Sequence, residues 1–550
     1  MNSNIIFQNQ EVQEVEEAQK VNEESLSSTV KNILKAYSEA KEKASLGANQ
    51  PRVKVGETLG SVAWIYEKIR NSIDYKGEHL LRRNAVERIL RRLLWEKSWL
   101  EPEKLANFLI KELIWARYLK NDSVPKNKAE HIAKILEKYF RLGFERQYRS
   151  WLLGMASCEI EEELVPELFY IQAYTQAMYV WFLENFDWTD QNLSPEHKNI
   201  QILIAIHRSL PKSDDSRIRY HLLKLLYPDW PHADDTLIAH TKENLFRIHK
   251  EMEEQINNPL QLRLYRYIQK QTAPFQILKD IIDENQDNIH QLLENPQKLE
   301  WKIREVCTKR YLQIRERVNR GIVRSIIYIF ITKVLLAFII EIPYEMFIIK
   351  HLNRIPIIIN GVIPPTLMFL VGLTIRRPDE ANTERIVEKI KSFVYPRQSE
   401  EKTRFSLAKS QQSSFMNKVF YFIYFILFIA ITGGIAYGLD KLHFNVVSAM
   451  VFFVFLSMVL LFGYRVRFAA SELMVISEKE GFLSHLFTNL TLPFLRLGFW
   501  LSRGLSKLNF LIIFMDFLIE APLKIIIEVV DEWTSFIREK REELVEVPPT

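Results

Sequence analysis

From about Val55 to Arg320, apolar residues recur at three- and four-residue spacing: Leu81, Val86, Ile89, Leu90 and Leu93, then Leu105, Phe108, Leu109 and Leu113. That period puts them on one face of a helix whose other face is charged, so the stretch predicts a series of amphipathic helices. Breaks rich in Pro, Asn, Asp and Ser fall at 120–124, 185–195, 211–216, 227–231 and 257–259. They divide the stretch into roughly ten helices joined by short loops. After Gly321 the pattern turns from periodic to continuous. Four runs, 322–342, 355–375, 419–439 and 446–464, reach the roughly 20 apolar residues that cross a hydrocarbon core of about 30 Å. The third and fourth carry no charge; the first contains Arg324, Lys333 and Glu341, and the second is interrupted by Asn360-Gly361 and Pro364-Pro365.

The expected fold is all-α: a large N-terminal cytoplasmic helical domain, then a membrane region of four transmembrane helices, then amphipathic C-terminal helices. Residues 1–50, rich in Glu, Gln, Lys and Ser, read as a mobile polar arm. Residues 51–320 form the helical domain, with a break near 187–195 that admits two subdomains, and 321–465 form the membrane region around a loop at 376–418. Residues 466–550 form an interfacial helical tail. Basic residues set the orientation. They crowd the approach Lys302–Arg320, number ten in 376–418, and recur at Arg465 and Arg467, whereas the opposite side has Lys350, Arg354 and Lys441. Both termini are therefore expected in the cytoplasm of a bacterial-type membrane. The N-terminus lacks a basic stretch followed by an apolar one, so insertion is expected to depend on the later segments.

Composition removes several classes of function. The net charge of +5 comes from 73 basic and 68 acidic residues, too balanced for a nucleic-acid binder. No glycine lies between Gly154 and Gly321, and neither GxxxxGK[ST] nor GxGxxG occurs, which excludes the usual phosphate-cradling loops. Cys158 and Cys307 stand in separate helical stretches with no CxxC, as in a reducing compartment without disulfides. No GxSxG elbow or catalytic triad order is present, and no cofactor is expected. His232, Asp234, Asp235, His240 and His249 form the one His/Asp cluster. The spacing is poor for a metal, leaving His232, Asp235 and His240 as weak candidates, and Asp234-Asp235 after Pro231 read as a helix N-cap.

Charges within apolar runs are the remaining candidates. Lys333, Glu341 and Glu345 fall within an arc of about 120° on an ideal helix. A charge at the bilayer centre costs on the order of 2.5–3.5 kcal/mol, so it needs a partner, a water-filled cavity or a function. Two readings compete: Glu341 and Glu345 in the headgroup layer with Lys333 paired to a neighbouring helix, or an ion or solute path. Asn360 belongs to that path if the second run is a broken helix; the plainer reading puts Pro364-Pro365 in the first helical turn and lays 355–363 along the interface. Gly434 and Gly438 form a GxxxG suited to close helix packing. Near the C-terminus Arg496, Trp500, Arg503 and Lys507 share one face, and Asp516, Glu520, Lys524 and Glu528 recur every four residues. These charges pair across a hairpin or face water at the interface, with Asp516 and Glu520 also path candidates. On 79–97, Arg82, Arg83, Arg88, Arg91 and Arg92 are candidates for an acidic partner, anionic lipid or RNA, or belong to an ordinary solvated helix.

The leading expectation from sequence is a non-enzymatic membrane-anchored scaffold that contacts the bilayer and binds protein partners through 51–320. The alternatives are an oligomeric ion or small-solute channel or transporter using the intramembrane charges, and a membrane-bound enzyme with a metal site in the helical domain.

Overall fold

The computed structural model describes residues 26–46, 51–56, 63–70 apart from 65 and 69, 80–96, 101–143, 147–165, 167–190, 193–286, 288–350, 354–375, 378–395, 401–407, 414–475 and 491–502, with scattered positions between 526 and 537. The fold is all-α, and four of its helices are long and apolar enough to cross a membrane. The chain divides into two compact units, one of residues 28–269 with 400–405, the other of 270–399 with 406–508. Residues 270–320, read from sequence as part of the helical domain, thus group with the membrane helices.

The helical unit contains α1 (Ser28–Leu46), α2 (Leu81–Glu96), α3 (Pro102–Trp115), α4 (Lys128–Leu142), α5 (Arg149–Leu164), α6 (Glu167–Asn185), α7 (Pro195–Ser209), α8 (Asp215–Leu226), α9 (Asp235–Glu243) and α10 (Leu245–Ile256). Its breaks coincide with the Pro- and Asp-rich loops of the sequence. Ser194, Asp214 and Asp234 each cap the helix that follows by accepting a backbone N–H. The hub is α5, buried without interruption from Trp151 to Glu161 and packed by α2, α4 and α8. Gly154 permits the α8 approach, since a Cβ there would lie 2.5 Å from Ser216 Oγ. One element departs from the helical pattern. Phe186–Trp188 (β1) pairs in parallel with Thr403–Phe405 (β2), and Phe405 stacks on Tyr267 and Trp188.

In the other unit, α11 (Gln261–Glu284, entering from the helical unit) and α12 (Ile289–Glu294) precede α13 (Pro296–Leu336). Asn295 caps α13, which runs on through two π-helical segments, Ala337–Glu341 and Glu345–Ile349, to make one helix of 54 residues. Between them lies Pro343. Its ring would clash with the carbonyl four residues earlier, and wider turns let the helix pass it unbroken. Then follow α14 (Arg354–Leu373), α15 (Glu380–Val394), α16 (Ser414–Lys441), α17 (Val446–Ala470) and a helix at 491–502. The helix start is corrected here: α14 begins ten residues before Pro364 and carries both prolines inside one unbroken helix. Helix neighbours support the backbone there, as they do for prolines in other membrane helices.

α13, α14 and α17 pack together around Ile329, Met368, Phe455 and Val459. Glycine sets the spacing: a Cβ on Gly463 would lie 2.5 Å from Val371 Cγ1, and one on Gly372 2.9 Å from Ile322 Cδ1. Gly498 is tighter, its notional Cβ falling 2.4 Å from the Ser457 carbonyl oxygen. By contrast nothing lies within 4 Å of a Cβ on Gly434 or Gly438, so the GxxxG makes no close helix contact within the described chain. Gly498→Ala is therefore expected to cost about 1–3 kcal/mol through overpacking, whereas Gly434→Ala gains up to about 1 kcal/mol of helix propensity. Thermal unfolding of the two purified variants checks this; equal midpoints would contradict the packing described.

Candidate functional site

A polar cluster lies inside the three packed membrane helices. The second π segment ends on Lys350, in the left-handed region at φ 59°. The two widened segments turn Glu341 and Glu345 inward, and both carboxyls are almost fully buried, as is Lys333. Lys333 pairs with Glu341 of its own helix and places its ammonium 5.4 Å from the centre of the Phe455 ring. Asn360 from α14 donates to Glu341 Oε1 at 3.0 Å and to the Ser448 carbonyl of α17 at 3.1 Å. Both partners are acceptors, so the amide orientation is fixed. Asn445 caps α17 through Ser448 N at 2.8 Å and donates to Glu345 Oε1 at 2.9 Å.

These groups form a ladder. Glu345 and Asn445 lie where α13 ends and α17 begins; Glu341, Asn360 and Ser448 lie about one turn further in, and Lys333 beside Phe455 about two turns beyond. Below Lys333 the apolar residues Ile329, Met368 and Val459 close the interior. Among the described residues, three buried oxygens of the ladder have no hydrogen-bond partner: Glu341 Oε2, Asn360 Oδ1 and Ser448 Oγ. A buried polar atom left unpaired costs about 1–3 kcal/mol, so this network is less well satisfied than a purely structural one would be.

The structure thus unites Lys333, Glu341, Glu345 and Asn360. Glu341 and Glu345 are buried among the packed helices. Asn445, Ser448 and Phe455 were not singled out from sequence; the signal was Asn445 three residues before Ser448 at the start of an apolar run, which resembles a plain helix cap.

The other candidates are placed differently. Arg83 pairs with Glu87 and Asp214, Arg88 with Glu67, and Arg92 with Glu112, all largely buried, so these three do not form an open basic face. Arg91 is exposed and pairs with Glu87, and Arg82 adds positive charge around Glu161. Asp234 is the cap of α9, Asp235 pairs with Arg141, and His240 and His249 pack against aromatic rings. No group of three or more His, Cys, Asp or Glu arranged for a metal occurs among the described residues, His232 included. Arg496 lies over the Tyr424 ring and Trp500 is exposed. Arg503, Lys507, Asp516, Glu520, Lys524 and Glu528 lie outside the described residues.

No protein-family model, curated protein or solved structure matches this chain.

In the helical unit, α5 presents four glutamates that are paired one by one: Glu159 with Lys138, Glu161 with Arg217, Glu162 with Lys224 and Glu163 with Lys128. Burial raises the pKa of Glu159 and Glu161 against the pull of those cations. His207 and His221 stack with ring centres 4.5 Å apart. Burial, then Lys224 and Arg217, lowers His207 to about 3, and His221 falls well below its usual value from burial and from His207. The facing groups are Ser213 Oγ at 3.5 Å from His207 and Glu162 at 3.9 Å from His221. Both rings are neutral in the folded unit and protonate on unfolding below pH 6.5, the ordinary histidine value. Their contribution is complete above that pH and declines on acidification toward the folded values, by about 1.4 kcal/mol per pH unit for each ring. Melting of the full-length protein followed by tryptophan fluorescence should shift downward from about pH 7 to 5, and less steeply in His221→Leu. An identical slope in that variant would refute the assignment.

Proposed function

We propose that this membrane protein moves an ion or small solute across the bilayer, with Lys333, Glu341 and Asn360 as the binding point. The supporting observation is the buried ladder contributed by three packed membrane helices. A buried ion pair adds little stability over an apolar core of the same shape, and in a membrane helix each charge carries an insertion cost of about 2.5–3.5 kcal/mol. A ladder that begins at one membrane face and stops on an apolar plug fits a binding point open toward one side. Four spans enclose little space alone, so the reading implies several copies acting together.

The expected scaffold role of the helical unit has no comparable observation in its favour. The richness of the loop 376–418 in Lys and Arg supports a cytoplasmic position for that loop by the positive-inside rule.

Full-length protein in proteoliposomes under an imposed potential tests the proposal, with protons, sodium, potassium and chloride assayed in turn. Glu341→Gln and Lys333→Met are each expected to change the flux at least about tenfold, an effect of roughly 1.4 kcal/mol or more, while Glu388→Gln on exposed α15 surface leaves it unchanged. Flux indifferent to both membrane substitutions would overturn it, and no flux of any of the four would rule out its ionic form.

A further inference from the structure

We infer that the ligand of this site is a small monovalent alkali cation, an inference that rests on the transport reading above and narrows it. The argument is an inventory of donors and acceptors. Both hydrogens of the Asn360 amide are used, on Glu341 Oε1 and on the Ser448 carbonyl. The Asn445 amide is used on Glu345, and the Lys333 ammonium on Glu341 and the Phe455 face. What remains is a surplus of oxygen: Glu341 Oε2, Asn360 Oδ1 and Ser448 Oγ, each on a side chain with essentially no exposed surface. Asn360 ties the three together, since its one amide bonds both Glu341 and Ser448.

Spare hydrogens remain on the Ser448 hydroxyl, the Asn445 amide and the Lys333 ammonium, but the hydroxyl can turn its lone pairs inward, and the unpaired Glu341 Oε2 and Asn360 Oδ1 only accept, so the site favours a cation. Two carboxylates against one ammonium disfavour an anion. A divalent ion is disfavoured as well, because Lys333 already neutralises Glu341 and a hard divalent ion draws on several carboxylates. Carboxylate, amide and hydroxyl oxygens also discriminate against soft transition metals. Lys333 then acts as a tethered competitor: its ammonium holds Glu341 when no ion is bound, and an arriving cation must share or displace it. The two charged partners thus have opposite effects on binding, although in a purely structural ion pair the loss of either would act in the same direction.

The experiment measures the thermal midpoint of the purified full-length protein in detergent as sodium or potassium chloride replaces choline chloride at constant ionic strength. Wild type is expected to be stabilised by at least one alkali cation relative to choline. Glu341→Gln should abolish the shift, Ser448→Ala should weaken it, and Lys333→Met should reach half-effect at about one tenth the cation concentration, near 1.4 kcal/mol of tighter binding. Equal midpoints in choline and in both alkali salts for wild type, or weaker binding in Lys333→Met, would overturn the inference; the wild-type comparison decides even if a variant fails to fold. Alkali binding without flux would sink the transport reading and keep the site. Flux of chloride with no alkali shift would do the reverse.

Discussion

A charge taken out of water must find an opposite charge or a full set of hydrogen bonds, and both units of this chain are organised around that requirement. In the helical unit, α5 is buried on every side yet carries Glu159, Glu161, Glu162 and Glu163. Each carboxylate goes to a different cation on α4 or α8, so the pairs act as a key that admits one arrangement of these helices. Since apolar residues of equal volume would hold the helices as firmly, the gain is in specificity of packing more than in stability. Trp230 joins the same key, donating from Nε1 to Glu159 at 3.2 Å while its carbonyl accepts from Lys138 at 2.8 Å.

Within the membrane the requirement is stricter, because lipid offers no hydrogen bonds. There the chain meets it with backbone geometry. Pro343 makes a regular helix unfavourable, the two π segments absorb the misfit, and the altered rotation directs Glu341 and Glu345 to the interior. Pro364 and Pro365 act on the facing helix: they carry no N–H for the carbonyls of Asn360 and Gly361, the positions four residues earlier.

Much of this was legible in the chain. The three- to four-residue period, the Pro and Asp breaks, the Asp234 cap and the four long apolar runs each express a local rule, and local rules act over a few residues. What escaped depends on distant partners. Arg83, Arg88 and Arg92 resemble a solvated basic face until Asp214, Glu67 and Glu112 fold against them. The start of α14 was misplaced because two adjacent prolines are costly in an isolated helix, and only packing against α13 and α17 offsets that cost. Lys333, Glu341, Glu345 and Asn360 were visible as charges or amides within apolar runs, but Ser448 was not, since its role depends on the Asn360 amide reaching its carbonyl. The β1–β2 pair, three residues on each side and more than two hundred apart in sequence, has no periodic signal to read.

The packing of α13 antiparallel to α14 and α17 also separates two kinds of contact. Ile322, Gly372 and Val371 with Gly463 lie at one end of the bundle, and there a side chain presses on glycine at 2.5–2.9 Å from the notional Cβ, so the helices approach as closely as backbone allows. Glu345, Asn360 and Ser448 lie at the other end, where the helices are joined by the amides of Asn360 and Asn445. Dispersion contacts are lost steeply with distance, and they are concentrated at the glycine end. Hydrogen bonds can be exchanged for bonds to water or to an ion at little net cost, and they are concentrated at the polar end. The same helices are therefore least willing to separate at the glycine end, and most willing where the unpaired oxygens lie.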